Sequence, residues 1–104
     1  MTTQEENELI CERLLGWKTS SILGYWFPSQ ERAGTVRTPS FTTWAEAGLI
    51  LVEFNQRKLE VDICIDAGEC WVTIWNPKPR STAKSADLPP LIRAAALEYI
   101  RSLP

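Results

Sequence analysis

The side chains with chemical reach are few. Asp62 and Asp66 stand four apart, three cysteines occupy positions 11, 64 and 70, and five tryptophans are spread from Trp17 to Trp75. Histidine is absent, which removes the commonest general base near neutral pH and the commonest metal ligand. On a strand the two aspartates would lie roughly 13 Å apart, at about 3.3 Å per residue, too far to share one ion. Cys11, Cys64 and Cys70 are odd in number and lack the spacing of a zinc or redox pair, so neither a closed disulfide set nor a metal centre is expected. They read as free thiols in a reducing cytoplasm. Cys11 also has Glu8 and Glu12 beside it, neighbours that disfavour a thiolate. No nucleophile stands next to a recognisable base, and neither a glycine-rich phosphate loop nor a nucleophile elbow occurs. A non-enzymatic chain without cofactor or metal is expected.

What remains is surface chemistry. Val61, Ile63 and Ile65 alternate with Glu60, Asp62, Cys64 and Asp66, and a second alternation runs from Cys70 to Asn76. This is the two-residue period of strands with one buried face. With Ala67-Gly68 as the turn, Ile65 falls opposite Cys70, Ile63 opposite Val72 and Val61 opposite Ile74. The other face then carries Cys64 opposite Trp71, Asp62 opposite Thr73 and Glu60 opposite Trp75. Indoles beside carboxylates suit a partner-binding surface, since tryptophan is enriched in interface hot spots; Trp71, Trp75, Asp62 and Glu60 are its candidate residues. The competing reading is that a helix covers this face and the indoles fill a second core layer. The dispersal of the five tryptophans likewise fits core anchors better than a stacking platform.

Eleven basic and thirteen acidic residues give a net charge of −2. That is too weak to draw the whole chain onto a phosphate backbone or to make it an acidic mimic of DNA. Basic residues cluster only in two loop segments, Arg32 and Arg37 in one, Lys78, Arg80 and Lys84 in the other. If the loops met, these five would form a modest patch for nucleic acid or an acidic partner; the alternative is solvated loop charge.

The elements that must position these residues can be read from periodicity and caps. At 104 residues, 44% hydrophobic and 23% charged, the chain fits one domain spanning 1–104 with an ordinary core. Thr3 with Glu6 is expected to open a first helix that carries Leu9, Ile10, Leu14 and Leu15 and ends at Gly16. Ser21 to Phe27 reads as a strand, and Ser29 to Ser40 as a long loop with a short strand near Thr35 to Arg37. Thr43 with Glu46 caps a second helix ending near Asn55, its inner face expected at Trp44, Ala47, Gly48, Leu51 and Val52. Asn76 to Ala86 reads as loop. Asp87 caps a last helix whose early prolines, Pro89 and Pro90, fall where a missing amide matters little. Together these predict an α+β fold, a small antiparallel sheet sandwiched by helices in the order α-β-α-β-β-α. Leu49 to Val52, the longest wholly apolar run, is far short of the roughly 20 residues of a membrane span, and the polar start of the chain does not resemble a secretion signal.

The segments NELICERLLGW (residues 7–17), TPSFTT (38–43), CWVTIWN (70–76) and DLPPLIRAAALEYI (87–100) together resemble the phage ABA sandwich domain proteins. These are short phage and prophage products in which helices sandwich a small sheet. The resemblance extends over nearly the whole chain and implies provenance, a phage product in a bacterial cytoplasm. The family has no settled activity, so it assigns no site residues. The expected role is that of an accessory protein, monomeric or homodimeric, that binds a host protein or complex. Inhibition of a bacterial defence nuclease, as anti-CRISPR proteins do, is the leading form of it. The alternatives are a nucleic-acid-contacting regulatory or packaging role, and a self-associating structural role.

Overall fold

The computed structural model describes residues 2–19, 25–27, 36–75 and 78–103. Helix α1 (Thr3–Leu9) runs into a π-helical segment, Ile10–Leu14. Two threonines are each followed three residues on by a glutamate, and the first pair makes the capping box. The Thr2 hydroxyl accepts from the Glu5 N–H at 3.1 Å, and the Glu5 carboxylate reaches back to the Thr2 N–H. Glu6, expected in that role, instead accepts from Arg93 and Arg101, each at 3.1 Å. The π segment ends with the Leu15 N–H donating to the Ile10 carbonyl at 3.0 Å and the Trp17 N–H to that of Cys11 at 2.9 Å. Gly16, at φ 70°, supplies the left-handed turn this closure needs.

Three short strands follow, β1 (Lys18–Thr19), β2 (Tyr25–Phe27) and β3 (Val36–Arg37), in an antiparallel sheet of that order. β2 and β3 fall inside the strands expected there, while residues 21–24 lie outside the described ones. Helix α2 (Trp44–Gln56) starts as expected, with the Thr43 hydroxyl accepting from the Glu46 N–H. The Glu46 carboxylate accepts from the Phe41 N–H at 3.1 Å and from the Ser40 hydroxyl at 2.9 Å, which pins the buried, positive-φ Phe41. The inner face of α2 is Ala47, Ile50 and Phe54, a stripe at i, i+3 and i+7. Trp44 and Val52, expected on that face, are 63% and 57% exposed; Trp44 sits at the helix's first position, and Val52 falls outside the stripe.

The hairpin β4 (Val61–Asp66) and β5 (Glu69–Trp75) has the predicted register at every position, from Val61 opposite Ile74 to Ile65 opposite Cys70. Its turn residues, Ala67 and Gly68, have φ of 51° and 85°, the pair of left-handed residues that matches the twist of antiparallel strands. The expected loop after it contains a third strand, β6 (Pro79–Ser81), paired with β5. Proline is tolerated as the first residue of an edge strand, and so short a strand leaves little periodic trace.

Helix α3 (Leu88–Ser102) organises the rest. Its buried residues include Leu88, Leu91, Ile92, Ala95, Ala96, Leu97, Tyr99 and Ile100, around most of its circumference, as for a helix covered on several sides. It packs on β5, whose Cys70, Val72 and Ile74 face it, and also on α2 and on the π segment. Arg57 ties these layers together. Its guanidinium donates to the carbonyls of Arg13 (3.1 Å) and Leu14 (3.0 Å), to the Tyr99 hydroxyl (3.3 Å) and to Glu53 (3.0 Å). The fold is α+β, with the expected helix–strand–helix–strand–strand–helix order plus the short additional strands.

Candidate functional site: the indole face of the hairpin

β-strand alternation sends Asp62, Cys64 and Asp66 of β4, and Glu69, Trp71, Thr73 and Trp75 of β5, to the face opposite α3. Among the described residues no helix lies over it. Trp75 is 46% exposed, Asp62, Asp66 and Glu69 are exposed, and Trp71 and Cys64 are half-buried. The alternative in which a covering helix makes a second core layer is therefore overturned: α2 packs on α3 instead of the sheet. The core-anchor reading of the tryptophans holds for Trp17 and Trp26, which are buried. It fails for Trp44 and Trp75.

The two indoles are held in different ways. Trp75 Nε1–H donates to Asp62 Oδ2 at 2.7 Å, a charge-assisted bond that fixes the ring while leaving it open to solvent. Over the Trp71 ring lies Lys84 Nζ, 4.9 Å from the centroid, within cation–π range. Thr73, between the two indoles, is 7% exposed and shares a 2.8 Å hydroxyl–hydroxyl hydrogen bond with Ser81 of β6. Glu60 lies just before β4, exposed, and its carbonyl accepts from the Trp75 N–H at 3.0 Å. All four candidate residues, Trp71, Trp75, Asp62 and Glu60, are thus on one hairpin. The stacking of Lys84 and the Thr73–Ser81 pair escaped sequence reasoning, because β6 and the segment after it have no periodicity to place them.

The four described basic candidates do not make one patch. Arg32 lies outside the described residues. Arg37 is on β3, in the other sheet, and Lys78 is exposed just before β6. Arg80 pairs with Ile74 on the α3 side and donates to the Glu98 carbonyl (3.4 Å) and the Ser102 hydroxyl (3.2 Å) at the end of α3, where a cation offsets the helix dipole. Lys84 is on the opposite side of the sheet, over Trp71. A separate open cleft of about 330 Å³ is lined by Glu12, Trp17, Lys18 and Trp26. The Trp26 indole N–H is already used there by Thr38, at 3.0 Å.

The indole face is equipped to desolvate aromatic surface with carboxylates around it. Among the described residues the face carries four acids, Glu60, Asp62, Asp66 and Glu69, and Lys84 stacked over Trp71. No helix among the described residues is long and apolar enough to cross a membrane.

In class, then, the chain has an α+β fold in which the β4–β5–β6 sheet is covered by a helix on one face and, among the described residues, by none on the other. Its fold is similar to that in the 2.0 Å crystal structure of a phage protein from Bacillus cereus ATCC 14579, with a TM-score of 0.66, 13% sequence identity, and coverage of 97% of this chain and 89% of that one. No family model matches the chain, and no curated protein does.

Proposed function

We propose that this chain is a phage accessory protein that binds a host protein or complex through the indole face of the β4–β5 hairpin, with no covalent chemistry of its own. One observation carries the reading: Trp75 is locked by Asp62 at 2.7 Å yet 46% exposed. An exposed aromatic ring already held in one orientation gives up little side-chain entropy on docking. The phage setting is supported by the fold likeness to a phage protein and by the motifs that resemble the phage ABA sandwich proteins, the family we propose for it. The site of action is then the bacterial cytoplasm. The finer form of the proposal is an inhibitor of a bacterial defence nuclease complex of the anti-CRISPR kind, acting by occlusion.

The test has two stages. Immobilised protein is used to capture its target from a host extract, and the capture is repeated with Trp71→Ala and Trp75→Ala proteins of unchanged thermal stability. Both substitutions should weaken it. The recovered complex is then assayed for nuclease activity with and without the protein; cleavage that persists at saturation removes the inhibitor reading and leaves the binding one.

A further inference from the structure

We infer that the open edge of β4 is a docking edge for an extended partner segment in which aliphatic and basic residues alternate, an inference that rests on the protein-binding reading above. Among the described residues β4 is the outermost strand of its sheet, with β5 on one side. The Trp75 N–H donates to the Glu60 carbonyl, so Glu60 and Trp75 form a hydrogen-bonded pair. Antiparallel alternation makes Asp62–Thr73, Cys64–Trp71 and Asp66–Glu69 such pairs as well. Val61, Ile63 and Ile65 therefore point their backbone N–H and C=O groups away from β5, toward the open edge. The far side of β5 agrees: the carbonyls of Val72 and Cys70, the partners of Ile63 and Ile65, accept from Thr82 (2.9 Å) and Ser85 (3.0 Å).

Sheet edges are blunted with proline, charged side chains, lysine above all, or a bulge. β4, with the sequence VDICID and an unbroken register, has no proline, lysine or bulge, and its charges, Asp62 and Asp66, are acids that repel a second acidic strand but not a basic one. The side chains along the edge have two characters. Ile63 and Ile65, on the α3 side, are 40% and 71% exposed, and Asp62 and Asp66, on the indole side, are exposed acids with Glu60 beyond them. An added strand must show aliphatic groups on one face and cations on the other.

This charge pattern selects the occupant. A second copy of β4 laid antiparallel would set Asp62 against Asp66 if centred on Cys64, or Glu60 against Asp66 if centred on Ile63. Like charges directly across a ladder destabilise it, whereas opposite charges there support it. Strand addition of this kind takes affinity from main-chain hydrogen bonds and specificity from alternate side chains.

The probe is an eight-residue peptide alternating valine and lysine, methylated on the backbone nitrogens of its outer edge so that it cannot pair with itself. Amide exchange is followed by NMR on the intact protein. Saturating peptide should slow exchange at Ile63 and Ile65 by about tenfold or more, and a valine–glutamate peptide should not. Ile63→Pro removes one outward N–H without touching the bonds to β5, and should weaken the peptide by about tenfold. Ile65→Lys keeps every backbone group, adds a repelling charge and should weaken it similarly, which covers the case of an unfolded proline variant. Unprotected Ile63 and Ile65 amides, equal protection by the acidic peptide, or self-association through β4 without any peptide would each overturn the inference. Capture of the host target that is lost in Trp75→Ala but unchanged in Ile65→Lys overturns the edge alone; capture unchanged in both overturns the indole-face reading and the edge with it.

Discussion

Trp75 and Asp62 are joined on a diagonal across the β4–β5 pair. The residue directly opposite Asp62 is Thr73, yet the carboxylate leans two residues along β5 to accept the Trp75 indole N–H at 2.7 Å. Diagonal neighbours on one sheet face are within reach of long and aromatic side chains, and here the reach turns an exposed ring into a fixed one. Asp62→Ala should leave folding stability within about 0.5 kcal/mol of the parent, as expected for an exposed surface site. It should speed exchange of the Trp75 indole proton. Target affinity should fall by up to about tenfold, the cost of immobilising a freed side chain. Unchanged indole exchange would show that the carboxylate does not hold the ring.

Arg57 acts on stability, not on binding. It satisfies the carbonyls of Arg13 and Leu14 at the end of the π segment and reaches Tyr99 of α3, with its guanidinium 5.5 Å from the Tyr99 ring centroid. Arg57→Ala should cost about 2 kcal/mol in urea unfolding, since several half-buried partners lose their donor at once. Arg57→Lys should recover little of it, because a point charge cannot replace the planar fork. Stability unchanged in both variants would contradict this role.

Glu6 gives the fold an acid-sensitive clasp. Hydrogen bonding from Arg93 is the largest influence; with the charges of Arg93 and Arg101 it outweighs the opposing cost of burial and holds the carboxyl below the ordinary value of 4.5. A carboxyl lowered in the folded state adds stability that is fully present above its unfolded value and is lost as pH falls through the folded one. Urea midpoints should therefore decline as the pH drops from about 5 to 3, and Glu6→Gln should flatten part of that decline. An identical pH profile in the variant would remove Glu6 as a contributor.

The cysteines should separate by reactivity. Burial, with the nearby Glu8 charge adding to it, pushes the Cys11 thiol up to about 12, so the reactive thiolate is scarce at neutral pH. Cys70 is buried beneath α3, and Cys64 is half-buried on the indole face. A thiol reagent applied to the native protein should modify Cys64 first, with Cys11 reacting only on unfolding; early modification of Cys11 would mean that the π segment opens readily.

Much of this was legible in the residues themselves. The β4–β5 register follows from two runs of period-two alternation about one turn, since any one-residue slip turns aliphatic side chains outward. The α2 cap and the early prolines of α3 are local signals of the same kind. What could not be read depends on distant contacts. Thr2-Glu5 and Thr3-Glu6 are equivalent as capping boxes, and the choice between them is tied to Arg93 and Arg101, 87 and 95 residues from Glu6. Likewise the openness of the indole face is set by α2 packing on α3, which no pattern in the hairpin encodes. β1 and β6, at two and three residues, are too short to leave a period.

The most direct measurement is the affinity of the captured target for the parent protein and for the Trp71→Ala/Trp75→Ala double variant, by calorimetry, with both shown to be folded. Hot-spot indoles predict a loss of about thirtyfold or more, corresponding to at least about 2 kcal/mol. Equal affinities for two equally folded proteins would contradict the indole face as the working surface.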